Sequence, residues 1–254
     1  MGPFGFGDKE IAYYPGCYSR AFLKDKVKNY KNILSKLGIQ FSTLDNPSCC
    51  CGCLIELGYE KQARKLARDN LSLFADKKTK KIITNCPLCL QTFSQEYKKM
   101  LPDWDIKSEF IFSVILEKLK SDNDLIKYFS NEKVIYYDSC YLGRHLSIID
   151  EPREILKLMG YNLAEMHFSK KETMCCGSCG QLDITNPELS KKIALNFLHH
   201  IQNNNVKKII TADPRAYWSL KKIIDSEKLN IQLIEFSDIV CDALDIEKGD
   251  IEEI

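Results

Sequence analysis

The chain has 254 residues, a length that allows either two similar halves or one large domain. Its 36 basic and 35 acidic residues give a formal net charge of +1, which argues against a nucleic-acid or anionic-membrane partner recognised by bulk charge. Residues 1–10 do not resemble a secretory signal, and the sequence holds no apolar run of about 20 residues. We therefore expect a soluble, cytoplasmic protein without a membrane span.

The cysteine content is the compositional feature that points to function. The chain holds 12 cysteines, and in a reducing compartment such thiols are used for metal binding or redox chemistry more often than for disulfides. An isolated cysteine is commonly a small buried apolar residue, which fits Cys241 in its apolar segment. That interpretation does not explain the three consecutive cysteines at 49–51.

The first half of the chain is predicted to alternate strands and helices. Short β-prone segments at 10–14, 39–44 and 81–84 are candidate strands, and apolar residues at helical spacing predict helices at 19–36 and 54–74. Cysteines follow the first and third strands. The carboxyl ends of strands are where open α/β sheets bind ligands, so we expect a site there.

The second half begins after a predicted junction. Helices are predicted at 110–120 and 125–129, followed by turn residues at 130–132, and a further helix is predicted at 187–201. We therefore expect a first domain at 1–130 and a second at 131–254.

The second half repeats the first. Residues 134–141 echo 11–18, Met174-Cys175-Cys176-Gly177 echoes Cys49-Cys50-Cys51-Gly52, and 208–214 echoes 81–87. The spacings agree as well, with 32 residues between Cys17 and Cys50 and 34 between Cys140 and Cys175. The duplication predicts an α/β fold of two lobes related by a pseudo-two-fold axis, with mostly parallel sheets.

The first copy offers five cysteines in the repeated pattern. Thiolate sulfur is the ligand of iron–sulfur clusters, and five thiolates are one more than a tetrahedral zinc uses, although zinc and inert thiols remain alternatives. The glycine after the pair, Gly52 matching Gly177, selects 50 and 51 and leaves Cys49 and Cys53 ambiguous. The predicted catalytic and metal-binding residues are Cys17, Cys50, Cys51, Cys86 and Cys89.

The second copy lacks two of these thiolates. Asp213 stands where the first copy has Cys86, and Ala216 stands where it has Cys89. Asp213 could supply an oxygen ligand and Cys179 a replacement sulfur, which would allow a cubane cluster or a zinc ion; an emptied site kept as scaffold is the alternative. The candidate cofactor-binding residues are Cys140, Cys175, Cys176, Cys179 and Asp213.

The order of these motifs resembles the CCG domain, the cysteine-rich module of the B component of heterodisulfide reductase and its relatives. Residues 138–145 and 150–153 resemble the second repeat of that family. The resemblance implies that each complete motif holds a noncubane [4Fe-4S] cluster through its five cysteines. It also implies that a disulfide is cleaved or formed at the cluster.

The resemblance further implies an iron–sulfur redox subunit of a heterodisulfide-reductase-like complex, an oxidoreductase that uses disulfide or sulfane sulfur. The chain has no C-x-x-C-x-x-C-x-x-x-C ferredoxin sequence, so electrons are expected to pass through two partner subunits of the complex, the ferredoxin-like C component and the flavin-containing A component. The alternatives are a non-catalytic, metal-stabilised binding module and an electron-relay subunit of a succinate, lactate or glycolate dehydrogenase.

Overall fold

The computed structural model describes residues 10–44, 47–202 and 206–249. In these residues the strands form two separate four-stranded sheets, and all paired strands are parallel. Parallel neighbours require crossover connections, which the intervening helices supply. The predicted α/β class, with two lobes and parallel sheets, is confirmed.

The first lobe contains the sheet with strand order β2-β1-β3-β4. Its strands are β1 (Ile11–Tyr14), β2 (Ser42–Thr43), β3 (Lys81–Thr84) and β4 (Lys107–Phe110). Its helices are α1 (Gly16–Phe22), α2 (Lys24–Lys36), α3 (Gly52–Glu56), α4 (Glu60–Asp76), α5 (Pro87–Gln91), α6 (Tyr97–Met100) and α7 (Ile111–Ser121). A π-helical turn, Thr92–Glu96, joins α5 to α6.

The second lobe repeats this order as β6-β5-β7-β8. Its strands are β5 (Lys133–Tyr136), β6 (Asn162–Leu163), β7 (Lys208–Thr211) and β8 (Gln232–Glu235). Its helices are α8 (Asp150–Leu158), α9 (Leu182–Thr185), α10 (Pro187–Gln202), α11 (Pro214–Ser226) and α12 (Phe236–Leu244). The identical strand order confirms the internal duplication.

Several predicted helices differ in detail from the observed ones. The helix predicted over 19–36 is divided at Leu23, whose φ of −139° and ψ of 51° lie outside the helical region. The helix predicted over 54–74 is interrupted before α4, close to Gly58 with its φ of +81°. The helix predicted over 125–129 is wrong, because only a 3₁₀ turn at Asn123–Leu125 forms there.

The two lobes share one apolar core in addition to a core of their own each. In the shared core α2 packs against α12 and α7 packs against α8. These two helix pairs are equivalent under the pseudo-two-fold relationship, because α2 and α8 follow the first strand of their lobes while α7 and α12 follow the last. A domain boundary near residue 130 remains a prediction, since α7 precedes it and packs on the helix that follows it.

Strand order determines where a ligand site can form. β1 leads to a strand on one side of itself and β3 to a strand on the other, so the crevice between the ends of β1 and β3 is a topological switch point. Tyr14 and Thr84, the last residues of these strands, are paired in register. None of the helices in the described ranges combines the length and apolar character needed to cross a bilayer.

Candidate functional site

Two cysteine motifs lie at the carboxyl ends of the central strands of the first sheet. Cys17 is in α1, directly after β1, and Cys86 immediately precedes α5, after β3. Pro87 occupies the first turn of α5, as predicted. Because adjacent parallel strands end at the same sheet edge, residues far apart in sequence meet there.

Five sulfur atoms converge at this edge. Sγ of Cys17 lies 3.8 Å from Sγ of Cys49. The Cys50 thiol hydrogen-bonds with the thiols of Cys49 and Cys89, and the Cys89 backbone N–H donates to Sγ of Cys86 over 3.4 Å. We call this set the first-lobe sulfur cluster: Cys17, Cys49, Cys50, Cys86 and Cys89.

Gly16 allows the backbone to pass directly beside these sulfurs. Its φ is +79°, and a methyl group built on its Cα would lie 3.0 Å from Cβ of Cys86 and 3.1 Å from Sγ of Cys89. The left-handed backbone and the short distances both require glycine. A glycine at this position is typical of a site where the backbone approaches a ligand closely.

Cys51, which the glycine landmark pairs with Cys50, has a different neighbour. Its side chain is fully buried, and its thiol hydrogen-bonds with the Tyr97 hydroxyl. Its backbone is left-handed, with φ of 66°, and its N–H donates to Sγ of Cys49 over 3.4 Å. Cys51 therefore contacts the first-lobe sulfur cluster through its main chain.

Equivalent hydrogen bonds in the two lobes define how the copies align. The Tyr14 hydroxyl donates to the Ser48 carbonyl over 2.6 Å, and the equivalent Tyr137 hydroxyl donates to the Met174 carbonyl over 3.0 Å. Ser48 and Met174 are thus equivalent, and the residues that follow each of them align in turn. The resulting pairs are Cys49 with Cys175, Cys50 with Cys176 and Cys51 with Gly177.

A second set of contacts supports this alignment. Sγ of Cys175 accepts from the Gly177 N–H over 3.3 Å, just as Sγ of Cys49 accepts from the Cys51 N–H. Gly177 has φ of +88°, so both copies place a left-handed residue after the cysteine pair. In three dimensions the duplicated pair is Cys49-Cys50, one residue earlier than the pattern of glycines indicates.

The protonation of these thiols differs from one sulfur to the next. Hydrogen bonds from Cys17, then from Cys50, lower the pKa of Cys49 to about 3. Burial raises the pKa of Cys89 well above its ordinary value. The sulfurs therefore hold protons that a metal would displace, since thiolate is the ligand form.

Exposure differs between the two sides of the first-lobe sulfur cluster. Cys50 and Cys89 are buried, whereas Cys17, Cys49 and Cys86 are partly exposed. Five soft donors exceed the four of a structural zinc, and their convergence fits a multinuclear iron–sulfur group. The partly exposed side leaves such a group accessible.

The second lobe brings three sulfurs into closer mutual contact. The Sγ atoms of Cys140, Cys175 and Cys179 all lie within 4.8 Å of one another. Cys176, the equivalent of Cys50, is buried with its Sγ 3.1 Å from Oγ of Ser178. Cys179 thus joins this site from a 3₁₀ turn, Cys179–Gln181, that has no counterpart among the cysteines of the first lobe.

Asp213 has a structural task at the position of Cys86. Its carboxylate is the N-cap of α11 and accepts from the N–H groups of Arg215, over 3.0 Å, and Ala216, over 3.2 Å. Burial raises the pKa of Asp213 above its ordinary value. Its predicted role as an oxygen ligand remains a prediction, and its observed contacts are those of a helix cap.

A polar network between the lobes adjoins the first-lobe sulfur cluster and was not predicted from sequence. The Arg215 guanidinium lies 3.7 Å from Sγ of Cys53 and also donates to Gln181 and Asp183. Gln181 in turn donates to Glu56 of the first lobe. No local motif marks these residues, because the contact depends on how the lobes pack.

Comparisons with known proteins agree with the duplicated architecture. The family model of the cysteine-rich domain, CCG, matches residues 11–94 and again 134–221. The D component of the dihydromethanophenazine:CoB–CoM heterodisulfide reductase of Methanosarcina barkeri is 27% identical over 244 residues, which are 92% of this chain and 59% of that protein. The chain thus spans about three fifths of that relative.

Two bacterial relatives carry other names. The probable glycolate oxidase iron-sulfur subunit of Bacillus subtilis is 26% identical, over 92% of this chain and 55% of that protein. Lactate utilization protein A 2 of Bacillus cereus is 21% identical, over 92% of this chain and 99% of that protein. Relatives of different overall length therefore share these two repeats.

Proposed function

The chain belongs to the cysteine-rich CCG domain family, and from this premise we propose that it is an iron–sulfur redox subunit of a larger oxidoreductase. Its first lobe would hold a noncubane [4Fe-4S] cluster. The proposed ligands are Cys17, Cys49, Cys50, Cys86 and Cys89. The ligand set differs from the sequence prediction at one position, with Cys49 in place of Cys51.

One observation carries this proposal. Five thiols from three separate segments meet at a switch point, and Gly16 lacks the side chain that would collide with two of them. Inert cysteines have no reason to converge in this way, because a buried apolar thiol gains as much from any other core position. Soft sulfur donors in this number favour an iron–sulfur group.

The residues of the chain would serve such a group in distinct ways. When bound, the cluster supplies the centre at which a disulfide or persulfide bond is reduced or formed. Cys50 and Cys89 would hold it from the buried side, and Cys17, Cys49 and Cys86 would hold it at the partly exposed side. The backbone N–H of Cys51, which already points to Sγ of Cys49, would stabilise the thiolate form of that ligand.

The proposed substrate and partners follow from the relatives. The name of the Methanosarcina relative contains the CoB–CoM heterodisulfide. We propose a disulfide or sulfane-sulfur substrate for this chain, with electrons exchanged through the ferredoxin-like C component and the flavin-containing A component of a heterodisulfide-reductase-like complex. The chain would then be part of an oxidoreductase that acts on sulfur groups.

Metal analysis with low-temperature electron paramagnetic resonance tests this function. The full chain, purified without oxygen, is expected to contain about four irons and four acid-labile sulfides. After oxidation it should show a paramagnetic signal that changes when a thiol is added. A chain without iron, or with a signal that no thiol alters, would contradict a sulfur-acting cluster.

A second candidate is an electron-relay subunit of a glycolate- or lactate-type dehydrogenase. It is favoured by the match to nearly the whole length of the Bacillus cereus lactate utilization protein. This function predicts the same iron content but a signal that thiols leave unchanged. The thiol response therefore separates the two candidates.

A further inference from the structure

The three close sulfurs of the second lobe have the spacing of ligands to a single ion. A zinc ion bound by thiolates at about 2.3 Å in tetrahedral geometry places its sulfurs about 3.8 Å apart. The Sγ atoms of Cys140, Cys175 and Cys179 lie within 4.8 Å of one another, close to that spacing. In a multinuclear cluster each thiolate binds a different iron, so its sulfurs lie farther apart.

The two lobes differ in this respect although they share a scaffold. Among the residues that the structure describes, the cysteines of the first-lobe sulfur cluster include no trio whose sulfurs all meet the same 4.8 Å limit. The second lobe has lost the thiolates equivalent to Cys86 and Cys89, and Cys179 enters its site instead. Loss of two outer ligands and gain of one near ligand turns a wide site into a narrow one.

A disulfide between Cys140 and Cys179 would be an alternative use of two of these thiols. Their Sγ atoms are in contact, but their Cα atoms are 7.6 Å apart. Disulfides usually join Cα atoms about 4.4–6.8 Å apart, so this backbone separation exceeds the usual range. A shared metal ion accommodates the larger separation, because the ion lies between the two sulfurs.

We propose that the second lobe binds one zinc ion through Cys140, Cys175 and Cys179, separately from the iron–sulfur group of the first lobe. Three thiolates from three segments suit zinc, which prefers sulfur ligands and tetrahedral geometry. Asp213 does not contribute, because its carboxylate caps α11.

The position of the site explains what the ion does. Directly after Cys179, Gly180 and Gln181 both have left-handed backbones, which turn the chain back toward the first lobe. Gln181 is buried and contacts both Arg215 and Glu56. An ion bound to Cys179 would therefore fix the turn on which the polar network between the lobes depends.

Metal analysis of matched cysteine variants tests the proposal on the full chain. Wild type, expressed with zinc and iron and purified without oxygen or chelator, should contain about one zinc in addition to its iron. Cys179→Ser should lower zinc at least about tenfold and keep the iron. Cys89→Ser should lose iron and keep zinc, and Cys241→Ala, in the buried face of α12, should keep both.

X-ray absorption at the zinc edge of the wild-type chain gives a result that requires no variant. At least three sulfur neighbours at about 2.3 Å would support the site. Zinc at background levels, zinc retained by Cys179→Ser, or a Cys140–Cys179 disulfide found by mass spectrometry would each overturn it. The iron measurements remain informative in every case, so failure here leaves the proposed function separately testable.

Discussion

Cys51 occupies in the first lobe the left-handed backbone position that Gly177 occupies in the second. Their φ angles are 66° and 88°, and each N–H donates to the sulfur two residues earlier. A non-glycine residue in this region is strained by about 1–2 kcal/mol. The equivalence moves the cysteine pair of the first lobe to Cys49-Cys50.

This alignment predicts opposite results for two neighbouring substitutions. Cys49→Ala should lower the iron content at least about tenfold and abolish the paramagnetic signal, because it removes a ligand. Cys51→Ala should keep both, because its thiol faces Tyr97 and its N–H is retained. Iron and acid-labile sulfide per chain measure the difference. Loss of iron in Cys51→Ala alone would restore the pair 50–51 as ligands.

Gly16→Ala tests the close approach of the backbone to the sulfurs. The added methyl group would lie about 3 Å from Cys86 and Cys89, so we expect iron content to fall. Gly38→Ala is the matched control, since Gly38 also has a positive φ, +71°, but nothing lies within 4 Å of the added atom. Both variants should lose stability from backbone strain, about 1–2 kcal/mol. Equal iron in both would show that the space at Gly16 does not matter.

Asp213→Ala tests whether this residue is a cap or a ligand. Loss of an N-cap should lower the free energy of unfolding by about 0.5–2 kcal/mol, and Asp213→Asn, which keeps an accepting oxygen, should recover most of it. Iron and zinc should be unchanged in both variants. Thermal unfolding followed by circular dichroism, with metal analysis of the same samples, measures these effects. Metal loss with unchanged stability would instead identify Asp213 as a ligand.

Glu235 predicts a pH dependence of stability. This buried carboxyl accepts from the Tyr30 hydroxyl and from Ser237, and burial, followed by the charge of Asp238, raises its pKa from 4.5 to about 7. Between these values the native chain keeps a proton that the unfolded chain releases. Stability should therefore fall as pH rises from about 4.5 to 7, by about 3 kcal/mol, and stay level above that.

Glu235→Gln cannot release this proton. The thermal midpoint of the variant, compared with wild type, should therefore improve between pH 5 and pH 8, while other titrating groups affect both proteins alike. Glu227→Gln, which changes an exposed carboxylate on the outer surface, is the control and should follow wild type. Parallel curves for wild type and Glu235→Gln would contradict the raised pKa.

Local pattern was sufficient where a segment's own residues fix its structure. The alternating apolar segments predict β1 and β3 closely, because β-branched and aromatic residues there are buried on both faces of a parallel sheet. The edge strands β4 and β8 were not predicted, since Lys107–Phe110 and Gln232–Glu235 are short and partly exposed, with little apolar signal. Their position beside β3 and β7 is a property of the folded sheet.

By itself the sequence determined the family, the duplication, the parallel α/β class and the cysteine motifs, because these depend on residue types and their spacing along one chain. Only the tertiary structure decided which of three consecutive cysteines faces Cys17, and that Cys179 joins Cys140 and Cys175. Direction of a side chain depends on backbone angles and on contacts with residues distant in sequence. A glycine in the sequence reports that a left-handed position is permitted, and the fold alone shows that Cys51 adopts one.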